Sequence, residues 1–275
     1  MHPHDTLFIG GTWSSPSTTD TIEVISPHTE SPIARVAAAG PADVDAAVTS
    51  ARKAFDDGPW PRLDPSERIE AVRRLAKLYG AQRSQMADLI TAEIGAPTAF
   101  AQRAQVGLPS MMMTAFCDLA ESFRWQEIRP GFYGSDLDIR WEPVGVVAAI
   151  VPWNMPQFLI VTKLIPALLA GCCVVIKPAP ESPLDALLLA TLLEEANLPT
   201  GVVSVLPGDA TVGEQLIRHP GVDKVSFTGS TAAGKAVAAA CAADLKRVSL
   251  ELGGKSAAIV LDDADPVAVA AAIRS

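Results

Sequence analysis

The chain has 275 residues, which is enough for one large α/β domain or for two smaller domains. Hydrophobic residues make up 49% of the sequence and charged residues 19%, a composition typical of a protein that folds around a core. With 22 basic and 31 acidic residues, the formal net charge is −9. Such a surface repels phosphate backbones and anionic lipid headgroups, so we expect no nucleic-acid partner and no membrane partner.

Four cysteines are present, but their spacing fits neither a disulfide framework nor a metal finger. The amino-terminal residues lack the basic and apolar segments of a signal peptide, so we expect a cytoplasmic protein. Twenty uncharged residues between Glu142 and Lys163 approach the length of a membrane span. Three prolines and the polar Asn154 and Gln157 interrupt this run, and a buried strand, a turn and a helix start explain it better.

The first half of the chain predicts short strands over residues 6–36, followed by helices and a hairpin. Apolar residues recur at spacings of three and four, which predicts helices over 41–55, 65–79, 86–95 and 104–124. Two short β-like pieces around Pro130-Gly131 and Gly134 predict a hairpin over 127–140.

From Val144 onward, apolar strands alternate with helices. The predicted strands cover residues 144–151, 172–176, 202–206, 224–227 and 257–261. The predicted helices cover about 156–170, 183–196, 211–218 and 231–243, and a further helix starts within 262–275. This alternation predicts an α/β fold with a parallel sheet buried on both faces and flanked by helices, and ligands of such sheets bind at the carboxyl ends of the strands.

The common nucleotide-binding fingerprints are missing. No G-x-G-x-x-G loop occurs, and Gly253-Gly254-Lys255-Ser256 would need a glycine at Ser249 to form a Walker A loop. A P-loop NTPase is therefore not expected.

Two polar residues follow predicted strands and are candidates for chemistry. Asn154 lies between Pro152 and Pro156, where its amide can donate to an oxygen that develops negative charge; alternatively, it caps the following helix. Lys177 directly follows Val174-Val175-Ile176 and would place a cation at a ligand-binding edge; alternatively, it is a lysine that snorkels to solvent.

Two further motifs lie later in the chain. Gly229 and Ser230 join a strand to a small-residue helix whose first amides would attract a pyrophosphate, although an ordinary capped turn explains them too. Glu251 lies between two leucines, where a weakly solvated carboxylate could act as a base; alternatively, it is a surface residue paired with Lys255.

The order and spacing of these segments resemble the aldehyde dehydrogenase superfamily. The series consists of GVVAAIVPWNMP (145–156), a strand ending in Lys177-Pro178, LPTGVVSVLPG (198–208), FTGSTAAG (227–234) and LELGGKS (250–256). Earlier segments, FIGGTW (8–13) and WPRLDPSERIEAVRRLA (60–76), are also similar to that family. The resemblance extends over essentially the whole chain.

The resemblance implies a Rossmann-like dinucleotide-binding domain formed by residues 1–126 and 141–253. It makes 127–140 part of an oligomerisation arm and 254–275 the beginning of a catalytic domain. The implied catalytic residues are Asn154 in an oxyanion hole, Glu251 as the general base and Lys163 near the active site. The implied cofactor-binding residues are Ile150, Pro152, Trp153, Lys177, Gly208, Gly229, Ser230 and Leu252.

The family mechanism is covalent, because a cysteine thiolate attacks the aldehyde before hydride transfer and hydrolysis. By family position that cysteine would lie beyond Ser275, and we expect structural roles for Cys117, Cys172, Cys173 and Cys241. We therefore expect no turnover by this chain alone, and action as a homo-oligomer or with a complementing chain. An apolar face at Ala257, Ile259 and Val260 would then be exposed.

The resemblance also implies NAD as cofactor and an aldehyde as substrate. Family members often have a glutamate three residues after the strand lysine, where this chain has Pro180, with the glutamate shifted to Glu181. Loss of that carboxylate removes repulsion toward a 2′-phosphate, so NAD use with tolerance of NADP is expected. The alternatives are a cofactor-binding remnant without activity and a CoA-acylating dehydrogenase, and the presence of Glu251 favours hydrolysis over acylation of CoA.

Overall fold

The structure is a computed structural model that describes residues 3–273. Its strands are β1 (Leu7–Ile9), β2 (Thr12–Ser14), β3 (Thr21–Ser26), β4 (Ser31–Ala37), β5 (Gln126–Pro130), β6 (Asp136–Arg140), β7 (Val146–Ile150), β8 (Cys173–Lys177), β9 (Val203–Val205), β10 (Lys224–Gly229) and β11 (Arg247–Leu252). Its helices are α1 (Pro41–Asp56), α2 (Pro65–Ala81), α3 (Arg83–Ile94), α4 (Thr98–Phe100), α5 (Leu108–Ser122), α6 (Pro156–Leu169), α7 (Leu184–Glu195), α8 (Ala210–Arg218), α9 (Thr231–Ala243) and α10 (Pro266–Ile273). A π-helical segment, Ala101–Gly107, joins α4 to α5.

The described residues contain one large sheet, with the strand order β11-β10-β7-β8-β9-β1-β2. The five strands from β11 to β9 are parallel, and β1 joins them antiparallel through the pair Phe8 and Val205. Every residue of β7 and β8 is buried, as expected for Val- and Ile-rich strands that helices cover on both faces. The predicted α/β fold with a Rossmann-like parallel sheet is confirmed.

The predicted helices are present, and their starts follow local sequence signals. Asp64 and Glu67 form a capping box at the start of α2, and α6 begins with Pro156 at a position that tolerates its missing N–H. Gly95 ends α3 with a φ of 71°, a left-handed conformation that glycine adopts without strain. Pro156 thus places the start of α6 two residues after Asn154, which lies in the loop that follows β7.

The predicted hairpin is also present, as the antiparallel pair β5 and β6. Phe132 and Tyr133 at its tip are 95% and 93% exposed, and their rings pack edge to face. Among the described helices, none is both long enough and apolar enough to cross a bilayer.

Two expectations about the last strands are wrong. Residues 257–261 form no strand, and the fifth parallel strand is β11, whose six residues pair in register with β10. Apolar character at 257–261 does not create a strand, because no neighbouring strand offers a ladder there. The sheet is also not buried on both faces throughout, since β10 is half-buried and β11 is mostly exposed.

The predicted exposure of the segment after β11 is confirmed, with Ile259 and Val260 being 83% and 54% exposed. The helix predicted to start within 262–275 corresponds to α10, as far as the described residues reach.

Candidate functional site

The carboxyl ends of four parallel strands lie side by side at one edge of the sheet. Ile150 at the end of β7 is in register with Lys177 of β8 on one side and with Phe227 of β10 on the other. Gly229 and Leu252 are paired at the ends of β10 and β11. The parallel topology thus brings together candidates that are about a hundred residues apart in sequence, such as Ile150 and Leu252.

An open cleft of about 1390 Å³ lies between α6 and the exposed face of β10 and β11. It is lined by most of the predicted site residues, namely Pro152, Trp153, Asn154, Lys163, Gly229, Ser230, Glu251 and Leu252. Ile150, Lys177 and Gly208 do not line it, because Ile150 is buried in the sheet and the other two lie toward α8. The predicted catalytic residues therefore share one cavity.

Asn154 lies in the loop between β7 and α6 and presents its side chain to the cleft. The carboxamide of Gln105 donates to the Asn154 backbone carbonyl at 2.8 Å. The Asn154 side chain is exposed, and no hydrogen bond joins its amide to another described residue. Met155 is the N-cap of α6, so the alternative that Asn154 caps this helix is wrong. The amide is available to a ligand.

Lys163 places a positive charge in the wall of the cleft, on α6. The residue is 9% exposed, and burial lowers the pKa of its ammonium group. The nearby Glu251 carboxylate acts in the opposite direction, and the positive charge of Lys224 adds to the lowering. Lys163 and Glu251 are therefore close enough to influence each other across the cleft.

Glu251 is more exposed than the sequence suggested. Its neighbours do not shield it, because Leu250 is half-buried and Leu252 is 39% exposed. The predicted low solvation of Glu251 is therefore wrong for this cleft, which is open to water. The alternative of an ion pair with Lys255 is also wrong, although both residues line the cavity.

The start of α9 provides a place for an anion. Ser230 is its N-cap, and the Ser230 hydroxyl accepts from the Ala233 amide at 3.2 Å. The amides of Thr231 and Ala232 have no hydrogen-bond partner among the described residues, so they remain available to a phosphate.

Glycine is required immediately before this helix. A Cβ at Gly229 would lie 2.5 Å from the Phe227 ring, so no larger residue fits without displacing it. The neighbouring helix α8 differs, because the Asp209 carboxylate accepts from the Thr211 and Val212 amides and occupies its start. Of these two helix starts, the one at Ser230 is the one suited to a pyrophosphate.

Lys177 lies between the sheet edge and α8. Its ammonium group donates to the Pro178 carbonyl at 2.8 Å, and the residue is only 5% exposed. The alternative of a lysine that snorkels to solvent is therefore wrong. Burial lowers the pKa of Lys177 to about 8, against the opposing effect of the Glu181 and Asp209 carboxylates. A ligand hydroxyl or phosphate could replace the carbonyl as its partner.

Sequence reasoning missed several residues of the cleft, among them Lys224, Ser226, Thr228 and Ser249. Their signal was present as the alternation of polar and apolar residues in KVSFTG and RVSLEL, which is typical of strands with one open face. Gln105 was also missed, and nothing in its local sequence marks it.

The four cysteines are all buried, as predicted. Burial raises the pKa of each thiol, and that of Cys173 to about 12. Cys172 lines the cleft but is only 3% exposed. Because a thiolate is the nucleophilic form, these environments favour structural roles.

Comparison with known proteins decides the family. Residues 13–275 match the model of the aldehyde dehydrogenase family. The chain belongs to the aldehyde dehydrogenase family. The predicted resemblance is thereby confirmed over nearly the entire sequence.

Curated aldehyde dehydrogenases share about two fifths of their aligned residues with this chain. Geranial dehydrogenase from Castellaniella defragrans is 42% identical over 262 residues, which cover 95% of this chain and 55% of that protein. Phenylacetaldehyde dehydrogenase from Pseudomonas fluorescens is 41% identical, covering 96% of this chain and 54% of that protein. The chain thus spans about half the length of the curated relatives it matches.

Solved aldehyde dehydrogenase structures match the fold. An aldehyde dehydrogenase from Mycobacterium tuberculosis, solved with NAD+, superimposes with a TM-score of 0.92 at 46% identity and covers 96% of this chain and 55% of that one. A mutant of aldehyde dehydrogenase C from Pseudomonas syringae, solved with NAD+ and octanal, has a TM-score of 0.90 at 41% identity, with coverages of 96% and 53%. The parallel sheet and its helices are therefore those of an aldehyde dehydrogenase.

Proposed function

We propose that this chain supplies the cofactor site, the polarising amide and the general base of an enzyme that oxidises an aldehyde to a carboxylic acid. The observation that carries the proposal is that Asn154 and Glu251 line the same cleft, next to the open helix start at Ser230. Membership of the aldehyde dehydrogenase family supports this reaction, as do the NAD+ complexes of two similar proteins.

The residues at the sheet edge fit a dinucleotide. The free amides after Ser230 would bind the pyrophosphate, and Lys177 would bind the ribose of the adenosine half. When bound, the nicotinamide of NAD accepts the hydride from the substrate. Pro180 provides no carboxylate against a 2′-phosphate, although the Glu181 carboxylate lies near enough to Lys177 to act on its pKa, so the proposed cofactor is NAD, with NADP tolerated.

In the proposed reaction, the Asn154 amide donates to the aldehyde oxygen as negative charge develops on it. Glu251 accepts a proton from the water that releases the acid. Lys163 adds positive potential to the same cavity. The attacking thiol would lie outside these 275 residues, because each cysteine present is buried with a raised pKa.

The remaining segments have proposed roles in assembly. Residues 127–140 would belong to an oligomerisation arm, consistent with the exposed aromatic pair at the hairpin tip. Residues 254–275 would begin the catalytic domain, and the exposed apolar residues there would contact the rest of it. The enzyme would be a homo-oligomer or would include a complementing chain.

Calorimetric titration of the purified chain tests the cofactor site. We expect saturable NAD binding by the wild-type chain, and binding weakened at least about tenfold by Lys177→Ala, which removes one charged hydrogen bond. Lys77→Ala, at an exposed position of α2, is the matched control and should bind NAD like the wild type. Absence of NAD binding by the folded wild-type chain would overturn the proposal.

A second measurement separates the cofactor site from the complete reaction. NADH formation from an aliphatic or aromatic aldehyde should be undetectable with the chain alone. Steady turnover by the chain alone would contradict the proposed location of the thiol. NAD binding without turnover, even in the presence of a chain that carries the nucleophile, would instead favour a cofactor-binding remnant.

A further inference from the structure

The loop that carries Asn154 has a single side-chain anchor among the described residues. Between the end of β7 and the start of α6, the Val151 amide donates to the Lys177 carbonyl at 3.2 Å. From there to Pro156, the one side chain that hydrogen-bonds the loop is Gln105, whose Nε2 donates to the Asn154 carbonyl at 2.8 Å. Among the described residues, this contact is therefore the one side-chain hydrogen bond that can restrain the Asn154 peptide.

Gln105 is buried in the protein core. It is 1% exposed and lies on the π-helical segment Ala101–Gly107, which packs against α3, α5 and α6. Its Oε1 atom is buried and has no hydrogen-bond partner. Burying an amide with one end unpaired costs free energy, so a purely structural position would favour an apolar residue. The π-turn aims the donor end of this amide at the loop.

We propose that Gln105 is a positioning residue, which sets the direction of the Asn154 amide by holding the carbonyl of the same residue. This inference rests on the proposed function of Asn154. The carbonyl and the side chain leave the same backbone segment, so rotation of the 154–155 peptide would displace the side-chain amide from the oxygen it must contact. Prolines at 152 and 156 restrict the backbone on either side of this segment.

Nuclear magnetic resonance of the whole chain tests the inference without any cofactor. The sequence contains two asparagines, Asn154 and Asn197, so ¹⁵N-asparagine labelling gives two side-chain amide signals. In Gln105→Met, which keeps the length but removes the donor, the Asn154 signal should shift or broaden. The Asn197 signal should stay in place, and an unchanged circular dichroism spectrum should show that the variant is folded.

Gln102→Met is the matched control, because Gln102 is exposed on the same π-helical segment. Gln105→Leu is the second variant, since its side chain has no hydrogen-bond donor and should perturb the Asn154 signal as well. An Asn154 signal that is unchanged in both Gln105 variants would overturn the inference. This result is independent of whether the chain takes part in aldehyde oxidation.

Kinetics of the complete enzyme extend the test to catalysis. Displacement of the Asn154 amide in Gln105→Met should lower kcat by roughly tenfold to a hundredfold, with KM for NAD within about twofold of wild type. A shifted Asn154 signal with unchanged kcat would keep Gln105 as the anchor of the loop but remove it from the reaction. Such a result would count against the proposed role of Asn154 as well.

Discussion

Two neighbouring pairs of strands in the parallel sheet differ in how completely the rest of the protein covers them. Strands β7 and β8 have the sequences VVAAI and CVVIK, and all of their residues are buried. Strands β10 and β11, KVSFTG and RVSLEL, belong to the same sheet but present polar residues to an open cleft. We call β7 and β8 the covered strands, and β10 and β11 the open strands.

Within one sheet, the covered strands contribute mainly to stability, whereas the open strands carry polar residues of the candidate site. The covered strands bury apolar side chains on both faces, which is the main favourable contribution to folding. Of the open strands, β10 is half-buried and β11 is mostly exposed, and Ser226, Thr228, Ser249 and Glu251 lie beside the cavity. Substitutions on the covered strands should therefore change the free energy of unfolding, and those on the open strands should mainly change binding.

The largest expected effect is on a covered strand. Ile176→Ala on β8 removes a side chain that is 0% exposed, and should lower the free energy of unfolding by about 2–5 kcal/mol. Ser226→Ala, at a half-buried position of β10, is the matched control and should change stability by less than about 0.5 kcal/mol. Urea unfolding followed by circular dichroism measures both. Similar losses in the two variants would contradict the division between covered and open strands.

Away from the open strands, a pair of buried acidic residues lies on helices α3 and α7. Glu93 on α3 accepts from the Leu184 and Asp185 amides at 2.9 and 3.1 Å, and Gln157 donates to the Asp185 carboxylate at 2.9 Å. Burial raises the pKa of Asp185 to about 7 and that of Glu93 well above its ordinary range, the latter with a contribution from the Asp185 charge. Because the pKa values of both groups are raised, we expect the pair to keep at least one proton at neutral pH.

The second prediction concerns pH. Unfolded carboxyl groups release their protons near pH 4, whereas the folded pair keeps one, so unfolding releases a proton. The stability contribution is complete below about pH 4 and is lost as pH rises through the raised pKa of about 7. Between pH 5 and pH 8, the free energy of unfolding should fall by roughly 2 kcal/mol.

Urea unfolding at these two pH values measures the effect, and Asp185→Asn should reduce the fall by at least about half, since one acidic group and its repulsion are removed. Asp88→Asn, an exposed position on α3, should keep the wild-type dependence. A wild-type chain that is equally stable at both pH values would show that the buried pair holds no proton.

The division between covered and open strands also explains which features could be predicted. Val-Val-Ile before Lys177 and the two prolines around Asn154 are local signals, so β8, the loop and the start of α6 could be located from the sequence. The last strand could not, because the apolar residues 257–261 looked more strand-like than RVSLEL, and only the ladder with β10 selects the latter.

The site was predictable to the extent that parallel topology gathers strand ends. The openness of the cleft at Glu251 was not predictable, since it depends on what covers the sheet. Gln105 lies 49 residues before the carbonyl that it contacts, and that distance leaves no local pattern.

The third prediction concerns Lys177, which lies on a covered strand and for which we propose a role in cofactor binding. If Pro180 allows a 2′-phosphate near Lys177, NAD and NADP should bind the wild-type chain within about tenfold of each other. Pro180→Glu adds a carboxylate and should weaken NADP by about tenfold while leaving NAD nearly unchanged. Calorimetric titration with both cofactors measures this, and complete rejection of NADP by the wild type would contradict the prediction.

The smallest expected effect is on an open strand, at a buried hydroxyl that makes no hydrogen bond. The Thr228 Oγ1 atom is buried and has no partner, whereas the Thr162 hydroxyl donates to the Leu159 carbonyl at 3.1 Å. Thr228→Val keeps the shape and removes an unpaired polar group, so stability should stay the same or rise by up to about 1 kcal/mol. Thr162→Val breaks an existing hydrogen bond and should lower stability by about 0.5–1 kcal/mol. Urea unfolding measures the stability of both variants. An equal decrease in the free energy of unfolding would mean that the Thr228 hydroxyl also has a hydrogen-bond partner.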